Sequence, residues 1–110
     1  DIDKFGAKSE GIRIDGRSGG LVVSPMAGII RFAGPFKNYD SMVIIEHEGG
    51  YHSLVAGLAK VDTLVGQKVS AGEPIGKLKS TTNADKPSLY YELRYKGNAI
   101  DPAKKLTDLG

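Results

Sequence analysis

Short apolar runs separated by glycine and proline limit what this chain can fold into more than any other feature. Fifteen glycines and five prolines punctuate the 110 residues. No apolar-periodic stretch is long enough for an extended amphipathic helix. Short runs bounded by turn-forming residues are typical of β-strands. The sequence therefore predicts an all-β fold, a small antiparallel β-sandwich or open barrel.

Three stretches predict individual strands. "LVVSPMAGIIRFAG" predicts two strands broken at Pro25, and "SMVIIEHEGGYHSLVAG" predicts a hairpin with a Gly-Gly turn. The segment 42–45 is apolar on both faces, which predicts a central strand. "VGQKVSAGEPIGKLK" predicts two further short strands on either side of residues 71–74.

The stretch "SLYYELRYKGNAIDP" predicts a strand that runs into a turn, with two faces of different character. The apolar face should contact the core and comprises Leu89, Tyr91, Leu93 and Tyr95. The other face should see a groove or solvent and comprises Ser88, Tyr90, Glu92 and Arg94. Tyr90 therefore places a large aromatic ring on a face that is expected to be open.

Composition fits one compact domain and excludes several classes of function. We expect a single domain over residues 1–110, with residues 1–8 as a linker remnant or an extended N-terminal segment. The net charge is only +2, without a basic stripe, which argues against nucleic-acid binding. The chain has no cysteine, hence no disulfide and no thiol nucleophile. No apolar run approaches the roughly 18 residues of a membrane span.

The residues by themselves indicate no catalytic chemistry. His47 and His52 are the two histidines, and they flank the Gly-Gly turn. A zinc site takes three or four protein ligands, and the neighbouring Glu46 should point away from His47 on a regular strand. We therefore interpret both histidines as ordinary strand-end residues. Neither histidine is accompanied by a nucleophile signature. The segment "GRSGG" has the G-x-S-x-G spacing, but it lacks the strand-to-helix context that a nucleophile motif or a phosphate loop requires.

The order of four motifs nevertheless resembles that of a LytM-type (lysostaphin-like) zinc metallopeptidase domain, over about residues 9–106. The motifs are "SPMAGIIRFAG", "YDSMVIIEHEGGYHSLVAGL", "VGQKVSAGEPIGKL" and "SLYYELRYKGNAIDPAKKL". The resemblance implies a LytM-type β-sandwich with a groove like the active site of the family. Active members hold zinc with a His, an Asp four residues later and the second His of a His-x-His strand.

The resemblance also implies that the ligands of that zinc site are lost here. The first His corresponds to Ser9 and the Asp to Arg13, while the family's Tyr-Ala-His reads Val-Ala-Gly and its His-x-His reads Ser-Leu-Tyr. The degenerate former ligand or catalytic positions are Ser9, Arg13, Gly57, Ser88 and Tyr90. A guanidinium about 4 Å from Zn²⁺ would oppose binding by several kcal/mol even at a dielectric of about 20. We therefore predict no metal cofactor and no peptidase activity.

This loss, together with "KPSLYYELRYKGNAIDP", resembles the degenerate LytM domains of EnvC-type murein hydrolase activators, above all the alphaproteobacterial forms. The resemblance implies a periplasmic, non-catalytic domain that activates an N-acetylmuramoyl-L-alanine amidase during cell division. A helix of the amidase would enter the vacated groove, and regions outside this chain would contact FtsEX. Peptidoglycan itself remains a further ligand that the resemblance allows.

We predict that the groove is lined by aromatic and charged side chains that an amphipathic helix can contact. They are Glu10, Ile12, Arg13, Tyr39, Ser88 and Tyr90. Structural alternatives stay open for three of them. Tyr90 would pack under the loop before its strand, Tyr39 would cap the sandwich, and Arg13 would pair with Glu10 or Glu92.

Three other functions remain to be separated from this one. Direct peptidoglycan binding in the old substrate groove is the main alternative. A biotinyl or lipoyl carrier domain shares the "SPMAGII" and "VGQKVSAGEPIGKL" strands but lacks a modified lysine in a tight hairpin. A hydrolase that uses another metal arrangement is the third.

Overall fold

A computed structural model describes residues 11–37, 39–82 and 86–101. These residues form ten strands and one single-turn 3-10 helix, at Glu48–Gly50. The strands are β1 (Ile12–Asp15), β2 (Leu21–Val23), β3 (Gly28–Phe36), β4 (Tyr39–Glu46), β5 (Tyr51–Leu58), β6 (Lys60–Val61), β7 (Lys68–Val69), β8 (Pro74–Lys77), β9 (Ser88–Tyr95) and β10 (Asn98–Ile100). The predicted all-β class is confirmed.

Two antiparallel sheets make up the fold. The larger has the order β1-β9-β5-β4-β3-β7, and β10 pairs with β9 beyond the end of β1. The smaller has the order β2-β8-β6. The predicted break at Pro25 is confirmed. Pro25 lies between β2 in the smaller sheet and β3 in the larger one. The predicted central strand is β4, which lies between β3 and β5 and joins β5 through the Gly-Gly turn.

The main core lies between the two sheets. Both contribute side chains that are fully buried, such as Ile75 from β8 and Leu93 from β9. Burying an aliphatic side chain of this size stabilises the fold by about 1.5–3 kcal/mol. Its buried members are Val22, Ile30, Val43, Ile45, Val55, Leu58, Val69, Ile75, Leu78, Leu89, Tyr91 and Leu93.

A second apolar cluster covers the other face of the larger sheet, away from the smaller one. Its centre is Met42 on β4, Ala56 on β5 and Leu54, all at most 3% exposed. The register places Met42 beside Ala56, and Ala56 beside Tyr90. Partly buried side chains packed against this centre are Phe32, Phe36, Ile44 and Tyr90.

The polar face of β9 is more buried than the sequence indicates. Glu92 is fully buried, and the side chain of Arg94 is only 14% exposed. The prediction that this face is open to a groove or solvent is therefore wrong for both residues. Alternation fixes the side of the sheet that a residue occupies, but the side chains that cover that side come from other strands.

A buried chain of hydrogen bonds ties the β4–β5 hairpin to the start of β3. His47, 6% exposed, donates from Nδ1 to the carbonyl of Ala27 at 2.7 Å, which leaves Nε2 to accept from the Ser53 hydroxyl at 2.7 Å. The Ser53 hydroxyl is in turn 2.8 Å from that of Tyr91. Burial lowers the pKa of His47 and raises the pKa of Tyr91. His47 is thus a structural residue.

No helix within the described ranges has the length and apolar character needed to cross a membrane.

Candidate functional site

Four of the five positions that the resemblance assigns to lost ligands or catalytic groups meet at one end of the larger sheet. Arg13 on β1 lies directly opposite Tyr90 on β9, and its Nη1 donates to the hydroxyl of Ser88 at 3.0 Å. Gly57 on β5 is beside them, because a Cβ built there would lie 3.2 Å from the Ser88 carbonyl oxygen. We call Arg13, Gly57, Ser88 and Tyr90 the degenerate site. Ser9 lies outside the described residues.

Tyr90 is held in place by hydrogen bonds on both sides of its hydroxyl. The hydroxyl accepts from the backbone N–H of Gly11 at 2.9 Å and donates to Oε2 of Glu92 at 2.7 Å. The other carboxylate oxygen of Glu92 accepts from Nε of Arg94 at 2.6 Å. Arg94 also donates to the carbonyl of Gly97 at 2.8 Å. The ring is therefore fixed in position on this face of the larger sheet.

Gly11 makes room for this arrangement. A Cβ at this position would lie 2.3 Å from the carbonyl oxygen of Tyr91 and 2.5 Å from Cζ of Tyr90. Any side chain would displace the Tyr90 ring or the β1–β9 pairing. Sequence analysis missed Gly11 and Arg94 as supports of the site, and the glycine directly before an alternating strand was the available signal.

Arg13 does not form the ion pair with Glu92 that was one of its predicted alternatives. The Glu92 carboxylate is bonded to Tyr90 and Arg94 instead. The pairing of Arg13 with Glu10 falls outside the described residues. The contact that the structure gives Arg13 is the neutral hydroxyl of Ser88, and the Arg13 side chain is exposed at this end of the sheet.

The register contradicts the placement of Ile12 in the same groove. Ile12 pairs with Tyr91, and cross-strand partners share a face, so Ile12 lies on the core side of β1 and is 40% exposed at the edge of the sandwich. A shift of one residue exchanges the two faces of a strand. Tyr39 begins β4, but its side chain, like Glu10, lies outside the described part of the chain.

The groups at the degenerate site do not fit a zinc ion. The two hydroxyls present, of Ser88 and Tyr90, already have protein hydrogen-bond partners, and Arg13 adds a fixed positive charge. Zinc takes thiolate, imidazole or carboxylate ligands, and none of the four residues supplies one. No group of three or more His, Cys, Asp or Glu side chains in the described ranges is placed to hold a metal ion.

Beside the degenerate site, the same face of the larger sheet is apolar and partly exposed. Phe32 and Phe36 contact each other edge to face, with ring centroids 6.3 Å apart, and Ile44 lies between Phe32 and the centre of the cluster. At the far end of the same face, Glu46 accepts from Nε of Arg31 at 2.6 Å. That hydrogen bond lowers the pKa of Glu46. The face thus offers an apolar strip with the Arg13 guanidinium at one end and the Arg31–Glu46 ion pair at the other.

The fold and the motifs define a LytM-type domain, and comparison with known proteins agrees. The sequence pattern of peptidase family M23 matches residues 7–102. The chain belongs to peptidase family M23.

Three relatives illustrate the match. The outer membrane antigenic lipoprotein B of Haemophilus influenzae is 37% identical over 100 residues, which cover 89% of this chain and 24% of that protein. The murein hydrolase activator EnvC of Escherichia coli is 35% identical over 88 residues, 79% of this chain and 21% of EnvC. The murein hydrolase activator NlpD of Escherichia coli is 31% identical over 109 residues, 96% of this chain and 28% of NlpD. The chain thus spans only about a quarter of each relative.

Solved structures agree on the fold. The NMR structure of lysostaphin is 25% identical, with a TM-score of 0.77 over 91% of this chain and 43% of that chain. The crystal structure of a peptidase M23 homologue from Pseudomonas aeruginosa is 27% identical, with a TM-score of 0.74 over 84% of this chain and 41% of that chain. The predicted resemblance to LytM domains and to murein hydrolase activators is confirmed.

Proposed function

We propose that this domain is a non-catalytic activator of a peptidoglycan N-acetylmuramoyl-L-alanine amidase and binds the amidase through the groove at the degenerate site. One observation carries the proposal. Where the family places two zinc ligands, this chain has an arginine hydrogen-bonded to a serine and a tyrosine anchored to a buried glutamate. This arrangement favours contact with a partner over hydrolysis. The relatives EnvC and NlpD are named murein hydrolase activators, which supports an activating role in general.

The groove has the surface that an amphipathic helix requires. Tyr90, Phe32 and Ile44 present partly exposed apolar groups, and the fixed Tyr90 ring loses little conformational entropy on binding. A helix would lay its apolar face on this strip. The exposed guanidinium of Arg13 would meet an acidic side chain of the helix at one end.

Activation then follows from differential binding. An amidase held inactive by one of its own helices exists in closed and open forms, and an activator that binds the open form better shifts the population toward it. An interface of about 800 Å² per partner is enough for micromolar affinity. We place this event in the periplasm during cell division, with FtsEX contacted by regions outside this chain.

The test is dye release from labelled sacculi by a purified envelope amidase, alone and with this domain. We expect release only from the mixture. Arg13→Glu should lower the stimulation about tenfold or more, because an exposed charge at the groove rim is reversed while the fold is untouched. Tyr90→Ala should abolish it, with circular dichroism to show that the variant is folded.

Lys77→Glu is the matched control, since it makes the same change of charge on the exposed side of β8 in the smaller sheet. Its stimulation should equal that of the unaltered domain. Release by the domain alone would reject the non-catalytic role. Equal loss in Arg13→Glu and Lys77→Glu would reject the groove as the contact surface.

A further inference from the structure

The first strand of the larger sheet, β1, has one edge that no strand in the described part of the chain covers. It pairs with β9 on one side and stands at the end of the sheet order. All four of its residues are exposed, and even Ile12 and Ile14, which lie on the core side, are 40% and 41% exposed. An edge strand is a template for another strand, because one row of its backbone N–H and C=O groups lacks a partner strand.

The hydrogen bonds to β9 show which backbone groups of β1 point to the open edge. The N–H of Gly16, the residue after β1, donates to the carbonyl of Pro87 at 2.9 Å, so Gly16 faces the strand β9. Residues of an antiparallel strand alternate between facing the partner strand and facing away from it. Ile14 therefore bonds to β9, whereas the N–H and C=O groups of Arg13 and Asp15 point to the open edge.

Opposite charges stand at these two positions. Arg13 and Asp15 lie on one face of β1, and both are exposed. Arg13 donates from Nη1 to the Ser88 hydroxyl, and neither Arg13 nor Asp15 forms an ion pair with another described residue. Charges on an edge strand discourage pairing with most other strands. Two opposite charges that are two residues apart, however, match the same strand when it runs antiparallel.

We propose that β1 pairs with β1 of a second copy of this chain, antiparallel and around a two-fold axis at Ile14. In this register Arg13 lies opposite Asp15 of the second copy, and Asp15 lies opposite Arg13 of the second copy. Each of these pairs exchanges backbone hydrogen bonds and brings an arginine beside an aspartate. Ile14 lies opposite Ile14 of the second copy on the other face, with Cα atoms about 4.5 Å apart.

Charge selects this register over its neighbours. The outward-pointing groups also allow pairings centred on Arg13 or on Asp15, but these place two arginines or two aspartates directly opposite each other. The interface is small, with about four backbone hydrogen bonds and two exposed ion pairs, so the association is weak and reversible. In the dimer the two larger sheets form one continuous sheet.

Sedimentation velocity of the domain from about 20 μM to about 1 mM tests the pairing. We expect the mean sedimentation coefficient to rise with concentration, and to rise less at high salt because salt screens the ion pairs. Arg13→Asp and Asp15→Arg should each weaken self-association about tenfold or more, because each places like charges opposite each other. An equimolar mixture of the two variants should associate again, since each pair in the mixed dimer joins an aspartate to an arginine.

Two controls separate this pairing from a general effect of charge. The double variant Arg13→Asp/Asp15→Arg has the net charge of the unaltered domain, exchanges the two partners and should associate as the unaltered domain does. Lys77→Asp makes the same change of charge as Arg13→Asp, but on β8 of the smaller sheet, and should leave the association unchanged.

A cross-link tests the register independently. The chain has no cysteine, so Ile14→Cys supplies one thiol per copy. The two thiols lie opposite each other at the two-fold axis, within reach of a disulfide, so oxidised glutathione should yield a covalent dimer. Leu21→Cys, at a side chain on β2 of the smaller sheet that is 62% exposed, is the matched control and should stay monomeric.

Other outcomes overturn the proposal. A domain that stays monomeric at about 1 mM would do so, as would a mixture of the two charge variants that associates no better than either variant alone. Equal cross-linking of Ile14→Cys and Leu21→Cys would show random collision in place of a defined register. Pairing that appears only after residues 1–8 are removed would assign the edge to the chain's own N-terminal segment.

Discussion

Two arginine–glutamate ion pairs on the same face of the larger sheet have the same length but differ in how far they are buried. In each, Nε of the arginine lies 2.6 Å from Oε1 of the glutamate. The side chains of Arg94 and Glu92 are 14% and 0% exposed, whereas those of Arg31 and Glu46 are 52% and 42% exposed. An exposed ion pair adds little stability, because water solvates its two charges almost as well when they are apart. A buried carboxylate has lost its water, so removal of a partner leaves an uncompensated charge.

We therefore expect Arg94→Met to lower the free energy of unfolding by about 3–5 kcal/mol, because it leaves the Glu92 carboxylate buried with only the Tyr90 hydroxyl. Arg31→Met is the matched control and should cost no more than about 1 kcal/mol. Urea unfolding followed by circular dichroism measures both. Similar losses in the two variants would contradict the role given to burial.

At the scale of elements, the β4–β5 hairpin depends on a neutral histidine. His47 donates to the start of β3 and accepts from Ser53 on β5, so three strands meet at one imidazole. Burial, followed by the nearby charge of His52, lowers the pKa of His47, against a raising effect of the bond to Ala27. Protonation would make Nε2 a donor, so the Ser53 hydroxyl would lose Nε2 as the acceptor of its proton.

This arrangement predicts how stability changes with pH. The unfolded chain takes up a proton near pH 6.5, whereas folded His47 does so only at lower pH. Its contribution is therefore complete above pH 6.5 and is lost as the pH falls from there to the lowered folded pKa, by about 1.4 kcal/mol per pKa unit. Urea unfolding at about pH 7.5 and about pH 5.5 measures this loss.

His47→Gln should remove most of this pH dependence, because glutamine does not titrate. His52→Gln provides the comparison and should keep it, apart from the small repulsion that His52 exerts on His47. A slope that persists unchanged in His47→Gln would assign the pH dependence to another group.

At the scale of the whole molecule, the two sheets depend on one shared core. Ile75 belongs to β8 in the smaller sheet, is fully buried and packs in the cluster that includes β4, β5 and β9 of the larger sheet. All five tyrosines lie in β4, β5 and β9, so tyrosine fluorescence reports on the larger sheet.

Ile75→Ala should lower the free energy of unfolding by about 2–5 kcal/mol through the cavity that it creates. Because the core is shared, the midpoints from tyrosine fluorescence and from far-UV circular dichroism should shift together. Val65→Ala, at a side chain that is 62% exposed, should change stability by no more than about 0.5 kcal/mol. If Ile75→Ala lowers the midpoint from circular dichroism but leaves the midpoint from tyrosine fluorescence unchanged, the two sheets unfold separately.

Local pattern was sufficient for much of the architecture. Adjacent residues were enough to predict strands on both sides of Pro25, a strand over residues 42–45 and a hairpin at the Gly-Gly turn. The structure confirms these predictions as β2, β3, β4 and β5. The four motifs in order were sufficient to identify the LytM fold and to indicate which positions of the degenerate site would meet. Such features can be read from sequence because turn chemistry and strand alternation act over a few residues.

By itself, then, the sequence determined the all-β class, the strand order along the chain and the family. Only the tertiary structure decided that Arg13 and not Ile12 shares the face of Tyr90, that Glu92 is buried against Tyr90 and Arg94, and that β1 stands at the edge of the larger sheet. The physical reason is distance along the chain. Gly11 and Tyr90 are 79 residues apart and Arg13 and Ser88 are 75 apart, so their contacts exist only once strand register and sheet packing are set.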